Sequence, residues 1–248
     1  MTLEEFFKVN NKVAIGFSGG VDSAYLLHEA VKLGADVGVY YVKSQFQPEF
    51  EYEDACTLAD SLGVKMTVIP VDVCRDKSIT DNPANRCYYC KRQIFGAIAT
   101  HALEDGYSVL LDGTNYSDDI DDRPGFKALT ELKVLSPLRI CGLTKADIRR
   151  LSKEAGLFTY DKPAYACLAT RIATGEEITK EKLAITEKAE GFLAGLGFVD
   201  FRVRMRGNNA LIQVRKSQFP LYEKNKDAII EELSNYYEKV MFDTEGRT

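Results

Sequence analysis

The sequence predicts an α/β fold, a doubly wound parallel sheet with helices on both faces, joined to a smaller C-terminal α+β domain. Three observations predict it. From residue 12 to 135 apolar runs of strand length alternate with helical patterns. Those strand runs are apolar almost throughout, as strands buried on both faces must be. After Pro163 the rhythm changes to helix, paired strands, helix and a short strand. With 248 residues there is room for one core domain and a smaller partner, expected at 1–164 and 165–248.

The elements follow in order. K-V-A-I-G-F at 12–17 is a strand and 22–33 a helix; D-V-G-V-Y-Y-V at 36–42 and 49–62 repeat the pair. K-M-T-V-I-P-V at 65–71 is the third strand, followed by a polar loop, a helix over 88–104 and the strand S-V-L-L-D at 108–112. Repeated βαβ units of this kind lie parallel, and ligands bind beyond the carboxyl ends of such strands, near the point where strand order reverses. A further helix over 144–155 opens on L-T-K-A-D, where Thr144 and Asp147 have the spacing of a capping pair, and Gly156 ends it. In the last third, 179–196 is a helix, and F-R-V-R-M-R and A-L-I-Q-V flank G-N-N as a hairpin.

Composition narrows the function. Apolar residues make up 45% and charged residues 28%, the profile of an ordinary globular protein. The formal charge is −5, so nucleic acid is not an expected partner. No apolar run approaches the roughly 20 residues that span a bilayer, and the N-terminal M-T-L-E-E-F-F is acidic where a secretory signal would be basic. A cytoplasmic protein without a membrane partner is expected. Its six cysteines then read as thiols, metal ligands or catalytic groups rather than a disulfide framework.

The most informative stretch is I-G-F-S-G-G-V-D-S, from Ile15 to Ser23. A strand, a glycine turn and a helix start together direct backbone N–H groups and the positive helix end at one point, which favours an anion. A glycine pair alone would more simply close a turn. A Walker A loop needs a lysine that this turn lacks, and the dinucleotide pattern G-x-G-x-x-G is absent.

S-G-G-V-D-S resembles the pyrophosphate-binding loop of the N-type ATP pyrophosphatases, which split ATP between its α and β phosphates and activate a substrate as the adenylate. The resemblance implies that Gly16, Ser18, Gly19, Gly20, Asp22 and Ser23 hold ATP, with Asp22 acting through Mg2+. Lys43-Ser44 and D-G-T-N at 112–115, with Gly113, match the places where that superfamily holds the nucleoside. Lys91 and Arg123 are the candidates for stabilising the phosphates.

A second constellation is sulfur. N-R-C-Y-Y-C-K-R places Cys87 and Cys90 three apart at a helix start, followed by two cations that lower thiol pKa values. Cys167 lies far along, in Y-A-C-L-A-T-R-I. Zinc wants four N or S ligands; a second C-x-x-C is missing and His28 and His101 sit inside predicted helices, although Cys141 would make a fourth ligand. An iron–sulfur cluster on three thiolates leaves one iron open. The bland alternative is three small buried hydrophobes, which is the reading for Cys56, Cys74 and Cys141.

Taken together, S-G-G-V-D-S, N-R-C-Y-Y-C-K-R-Q-I-F, D-D-R-P-G-F-K-A, A-C-L-A-T-R-I and F-R-V-R resemble the LarE family in order and over most of the chain. That family adenylates the carboxylates of pyridinium-3,5-biscarboxylic acid mononucleotide and converts them to thiocarboxylates, towards a nickel-pincer cofactor. Some members sacrifice one cysteine sulfur; others hold a 4Fe-4S cluster on three cysteines. This chain matches the second type, so the resemblance implies Cys87, Cys90 and Cys167 as catalytic and cluster-binding residues, and the cofactors ATP, Mg2+ and 4Fe-4S.

Arg202 and Arg204 alternate along one predicted strand face, where they either hold a substrate phosphate or lie solvated. Arg171, four after Cys167, either holds a substrate carboxylate or serves local structure. A homo-oligomer is expected, with a donor protein or free sulfide supplying sulfur. Rival readings are a tRNA-thiolating enzyme, a nucleotide-binding regulator that leaves ATP intact, and a LarE-like enzyme with another small client.

Overall fold

The computed structural model describes residues 1–119 and 124–247. In chain order the elements are α1 (Leu3–Val9), β1 (Lys12–Gly16), α2 (Val21–Lys32), β2 (Asp36–Lys43), α3 (Glu49–Ser61), β3 (Met66–Pro70), α4 (Lys77–Thr80) and α5 (Arg86–Glu104). There follow β4 (Leu110–Leu111), α6 (Pro124–Glu131), α7 (Pro137–Ile140), α8 (Lys145–Glu154), α9 (Lys180–Gly195), β5 (Arg202–Arg206), β6 (Asn209–Gln213), α10 (Phe219–Leu233) and β7 (Lys239–Phe242). They form two compact units, Met1–Val73 with Asn85–Lys162, and Cys74–Ala84 with Pro163–Thr248.

The first unit is built on a parallel sheet of order β3-β2-β1-β4. Side chains alternate across it, so each strand feeds two cores. Val13, Ile15, Val39, Tyr41 and Leu111 pack with Phe6, Leu26, Leu27, Leu58 and Ile148, from α1, α2, α3 and α8. Ala14, Tyr40, Val42, Ile69 and Leu110 pack on the other face with Phe95, Ile98 and Leu129, from α5 and α6. Each fully buried Leu or Ile here stabilises by roughly 1.5–3 kcal/mol. Helices on both faces explain why the strands read as unbroken apolar runs, and the α/β expectation holds.

Three of the helices packed on the sheet show how local sequence sets their starts. The acidic start T-L-E-E, which sequence patterning used only to exclude a signal peptide, forms α1: Thr2 Oγ1 accepts from Glu5 N at 3.2 Å and Glu5 Oε2 from Thr2 N at 2.9 Å. The predicted capping pair of α8 is present, with Thr144 Oγ1 accepting from Asp147 N at 3.2 Å. Helix α5 starts at Arg86, two residues before its expected start, and so takes in Cys87.

The chain runs from β1 outward through β2 and β3, then returns to place β4 on the other side of β1. Strand order therefore reverses between β1 and β4, and a crevice opens beyond their carboxyl ends.

The second unit carries a three-stranded sheet of order β5-β6-β7, with β5 and β6 antiparallel and β7 parallel to β6. Gly207, at φ +56°, turns the hairpin in a left-handed conformation that glycine adopts without strain. Buried Leu183, Leu193, Val203, Ile212, Ile229 and Leu233 supply its core. The segment Cys74–Ala84 joins this unit by specific bonds: Asn82 Nδ2 donates to Ala173 O at 2.7 Å, Gly175 N to Asn82 O at 2.9 Å, and Ile178 N to Thr80 O at 2.8 Å.

Candidate active site

The turn after β1 is held by its own serines. Ser18 N donates to Ser23 Oγ at 3.3 Å, Gly20 N to Ser18 Oγ at 3.4 Å, the two hydroxyls lie 3.1 Å apart, and Ser23 Oγ donates to Gly20 O at 3.1 Å. Gly19 has φ +70°, and a Cβ there would stand 3.0 Å from that of Ala55, so glycine is required twice over. Gly20 caps α2 without any side-chain bond. The first-turn N–H groups, which no helical carbonyl can accept, are left for a ligand.

From the other side of the switch point, D-G-T-N closes on this turn. Asp112 is buried; its Oδ1 accepts from Ser136 Oγ at 2.6 Å and Thr114 N at 3.2 Å, and its Oδ2 from Thr114 Oγ1 at 2.5 Å. With its oxygens so engaged, Asp112 shapes the loop. A Cβ on Gly113 would lie 2.9 Å from Ser23 N, so the two backbones approach as closely as glycine permits.

A cavity of about 330 Å³ opens between them, lined by Gly16, Ser18, Asp22, Ser23, Lys91 and Gly113 among others. Six of the predicted nucleotide residues thus come together. Gly16 has a second reason to be glycine, because a Cβ there would meet the Phe95 ring at 2.9 Å. Ser44 is one step removed, donating to Gln47 Oε1 at 2.6 Å, and Gln47 lines the cavity. Lys43 is drawn off to Glu49 at 2.8 Å and onto the Tyr52 ring at 4.0 Å. Arg123 lies outside the described residues.

One residue was missed. Lys145, the first residue of α8, sets its Nζ 2.5 Å from Asp22 Oδ2, while Asn115 Nδ2 donates to Asp22 Oδ1 at 3.3 Å. The loop has no lysine of its own, yet a cation stands on its aspartate. The L-T-K-A-D helix start was read only as a cap, and nothing in residue spacing ties it to Asp22, 123 positions earlier.

Donor chemistry tests the expected groups. A glycine-walled cavity with an uncapped helix start, two hydroxyls and a carboxylate fits a triphosphate and a hard cation. Cys87 and Cys90, one turn apart on α5, offer two sulfur donors from one helix face, and Cys87 is exposed. Among the described residues, no group of three His, Cys, Asp or Glu side chains is arranged to hold a metal ion.

In the second unit Cys167 is half-buried and opens a tight turn at Leu168–Arg171. Arg171, for which a substrate carboxylate and a local structural role were both open, is fully buried and gripped by Glu190, with Nε to Oε1 at 2.7 Å and Nη2 to Oε2 at 3.0 Å. The local structural role is the one seen. Burial would lower its pKa, but Glu190 outweighs that and raises it.

Arg202 and Arg204 do share one face of β5, as their alternation predicts, but Arg202 is buried and donates to Phe201 O at 2.6 Å and Ala164 O at 2.7 Å. Arg204 donates to Gln213 Oε1 at 2.5 Å and Thr170 O at 2.9 Å. Burial first, and then the charge of Arg171, hold both guanidinium pKa values below their ordinary range.

Residues 5–85 match the family described as NAD synthase, a span that contains the glycine turn. Along most of its length the chain is similar to an uncharacterised protein of Synechocystis sp., with 37% identity covering 87% of this chain and 81% of the relative. It is also similar to the pyridinium-3,5-bisthiocarboxylic acid mononucleotide synthase of Lactiplantibacillus plantarum, with 32% identity over 88% of this chain and 79% of that protein. A weaker likeness, 28% identity over 61% of this chain and 54% of the relative, is to the tRNA-specific 2-thiouridylase MnmA of Thermotoga sp.. Among the described residues no helix is long and apolar enough to cross a membrane.

Proposed function

The chain belongs to the LarE family of PP-loop proteins, and from that premise we propose that it is an ATP-dependent sulfur transferase acting on the carboxylates of pyridinium-3,5-biscarboxylic acid mononucleotide. The observation that carries the reading is the cavity at the strand switch point, where the serine-stitched turn, Asp22, Lys91 and Gly113 meet.

In this reading the first-turn N–H groups of α2 and the hydroxyls of Ser18 and Ser23 hold the β and γ phosphates. Asp22 holds Mg2+, whose charge offsets that of the departing pyrophosphate. A substrate carboxylate oxygen attacks the α-phosphorus, the bond to the pyrophosphate oxygen breaks, and an acyl adenylate remains. Lys91 and Lys145 stabilise the charge moved in that step; such chemistry rests on positioning and electrostatics more than on covalent help. A sulfur nucleophile then attacks the acyl carbon and AMP leaves, giving the thiocarboxylate.

The nucleophile in this proposal is sulfide, so that breaking the acyl–AMP bond gives the thiocarboxylate directly. Cys87, Cys90 and Cys167 would hold a 4Fe-4S cluster, which when bound supplies an open iron for a transferable sulfide. Arg204, the half-buried member of the pair on β5, is assigned to the substrate phosphate, while buried Arg202 is spent on backbone carbonyls; free sulfide or a donor protein is the sulfur source and a homo-oligomer the working form.

The test mixes anaerobically purified protein with ATP, Mg2+, sulfide and the pyridinium dicarboxylate, following pyrophosphate and the mass of the product. Pyrophosphate release that requires the dicarboxylate, together with a thiocarboxylate, is the expected result. Sulfur appearing in tRNA instead, or no pyrophosphate from iron-loaded protein, would overturn it.

A further inference from the structure

The second unit holds a buried polar network that adenylation does not use. Glu190 of α9, 5% exposed, accepts from Arg171 Nε at 2.7 Å and Nη2 at 3.0 Å, from Tyr165 Oη at 2.5 Å and from Val203 N at 2.9 Å. Arg171 spends its remaining nitrogen on Ala166 O and Thr170 Oγ1, both at 2.8 Å, with Cys167 O at 3.5 Å. Thr170 also turns back, its N and Oγ1 donating to Cys167 O at 3.0 and 2.8 Å. The Tyr165 ring lies 4.5 Å from the Arg171 guanidinium and 5.2 Å from that of Arg202.

Both carboxylate oxygens of Glu190 therefore lead, through one residue or directly, to the segment that brackets Cys167. A buried ion pair is an inefficient source of stability, since desolvation of both ions offsets much of their attraction and a well-packed apolar pair does as well. Its use here lies in what it orders. The backbone on both sides of Cys167 is held by groups that are themselves fixed, a second layer of the kind that keeps a reactive side chain within a fraction of an ångström of its working position.

We propose that Glu190 is a positioning residue for the Cys167 thiol, acting through Arg171 on the carbonyls of Ala166 and Cys167. The inference rests on the reading of Cys167 as one of the three thiolates that would hold the sulfur-delivering cluster. Glu190 acts through Arg171 and sets where the Cys167 sulfur stands.

Glu190→Gln tests this, because it keeps the volume and one acceptor while removing the charge and one of the two Arg171 bonds. Tyr165→Phe removes the hydroxyl that donates to Glu190 and serves as the milder variant. Alkylation of Cys167 by N-ethylmaleimide is followed by peptide mass spectrometry in the full-length, iron-free protein, with the half-buried Cys56, which is outside the proposed cluster, as internal reference. In Glu190→Gln the ratio of the two rates is expected to change at least threefold, thiocarboxylate formation to fall at least tenfold, and pyrophosphate release to stay within twofold. A folded variant whose alkylation ratio moves less than threefold overturns the proposal. Should Glu190→Gln not fold, the same ratio in Tyr165→Phe decides, a change of twofold or more supporting the proposal and a smaller one overturning it. If the wild-type protein makes no thiocarboxylate at all, the functional reading falls, while the alkylation ratio still decides the positioning role.

Discussion

Replacing Gly113 by alanine tests whether the approach of the two loops is what makes the nucleotide cavity. A Cβ at that position would stand 2.9 Å from Ser23 N, 3.3 Å from Ser23 Cα and 3.4 Å from Asp22 C. All three are backbone atoms, so no side chain can swing aside. Restoring an ordinary separation of roughly 3.5 Å moves the first turn of α2 by about 0.6 Å. Overpacking of that kind costs about 1–3 kcal/mol. For a chain of this size each kcal/mol lowers the melting midpoint by roughly 2–4 °C, so a fall of about 2–12 °C is expected in calorimetry.

The functional loss should be larger than the loss of stability suggests. Displacements on the order of 1 Å at a reacting centre cost about a hundredfold in rate. Affinity for a non-hydrolysable ATP analogue, measured by titration calorimetry, is expected to drop at least tenfold. Gly96→Ala is the control: nothing lies within 4 Å of its Cβ position in α5, and the change should be neutral or stabilising by up to about 1 kcal/mol. A Gly113→Ala protein that binds the analogue within twofold of wild type would refute the placement of the nucleotide.

Four further outcomes are expected. Lys145→Met should abolish most pyrophosphate release yet shift stability by about 1 kcal/mol or less, because the pair it forms with Asp22 is 33% and 22% exposed and partly screened; calorimetry beside a pyrophosphate assay separates the two effects. Cys167→Ser should leave pyrophosphate release intact and remove the thiocarboxylate, while Cys87→Ala should lose iron and visible absorption on anaerobic purification. For Asp200, burial raises the carboxyl pKa but Arg215, Arg247 and Arg202, at 2.7, 3.2 and 3.8 Å, outweigh it and hold the value below the ordinary one. A depressed folded pKa contributes stability that is present above the unfolded value of about 3.9 and lost as pH falls through the lower folded one. The melting-point advantage of wild type over Asp200→Asn should thus be full near neutrality and close only below about pH 4.

What could be read from residue order was whatever depends on neighbours. The near-continuous apolar runs of β1 and β2 mark them as buried on both faces, and the Thr144–Asp147 spacing marks a helix start that the structure reproduces. The serine turn is local as well, since its bonds close within five residues. Long-range partners left no such trace. Glu190 sits 19 positions after Arg171 in an ordinary helical pattern, so nothing showed that it would decide between the substrate and local roles open to that guanidinium. Gly16 looked like part of a phosphate turn, while the edge of Phe95 also demands a glycine there. The segment Cys74–Ala84 read as a plain polar loop, and its attachment through buried Asn82 to residues some ninety positions on is a tertiary fact.

The missing lysine in S-G-G-V-D-S follows from the same geometry. A Walker loop carries its cation on the turn itself, so charge and backbone are fixed together. Here the turn supplies backbone N–H groups and hydroxyls, and the cation comes from the first residue of α8, held on Asp22 at 2.5 Å. Asp22 cannot keep Lys145 so close and also give both carboxylate oxygens to a divalent ion. Nucleotide with Mg2+ should therefore loosen that pair, freeing Lys145 Nζ for phosphate oxygens, in a site that remains charge-balanced before and after loading. If so, Mg2+ without nucleotide binds weakly to wild type and more tightly to Lys145→Met, where Asp22 is left uncompensated. Equal Mg2+ affinity in the two proteins, by titration calorimetry, would show that the ion and the lysine do not share the carboxylate.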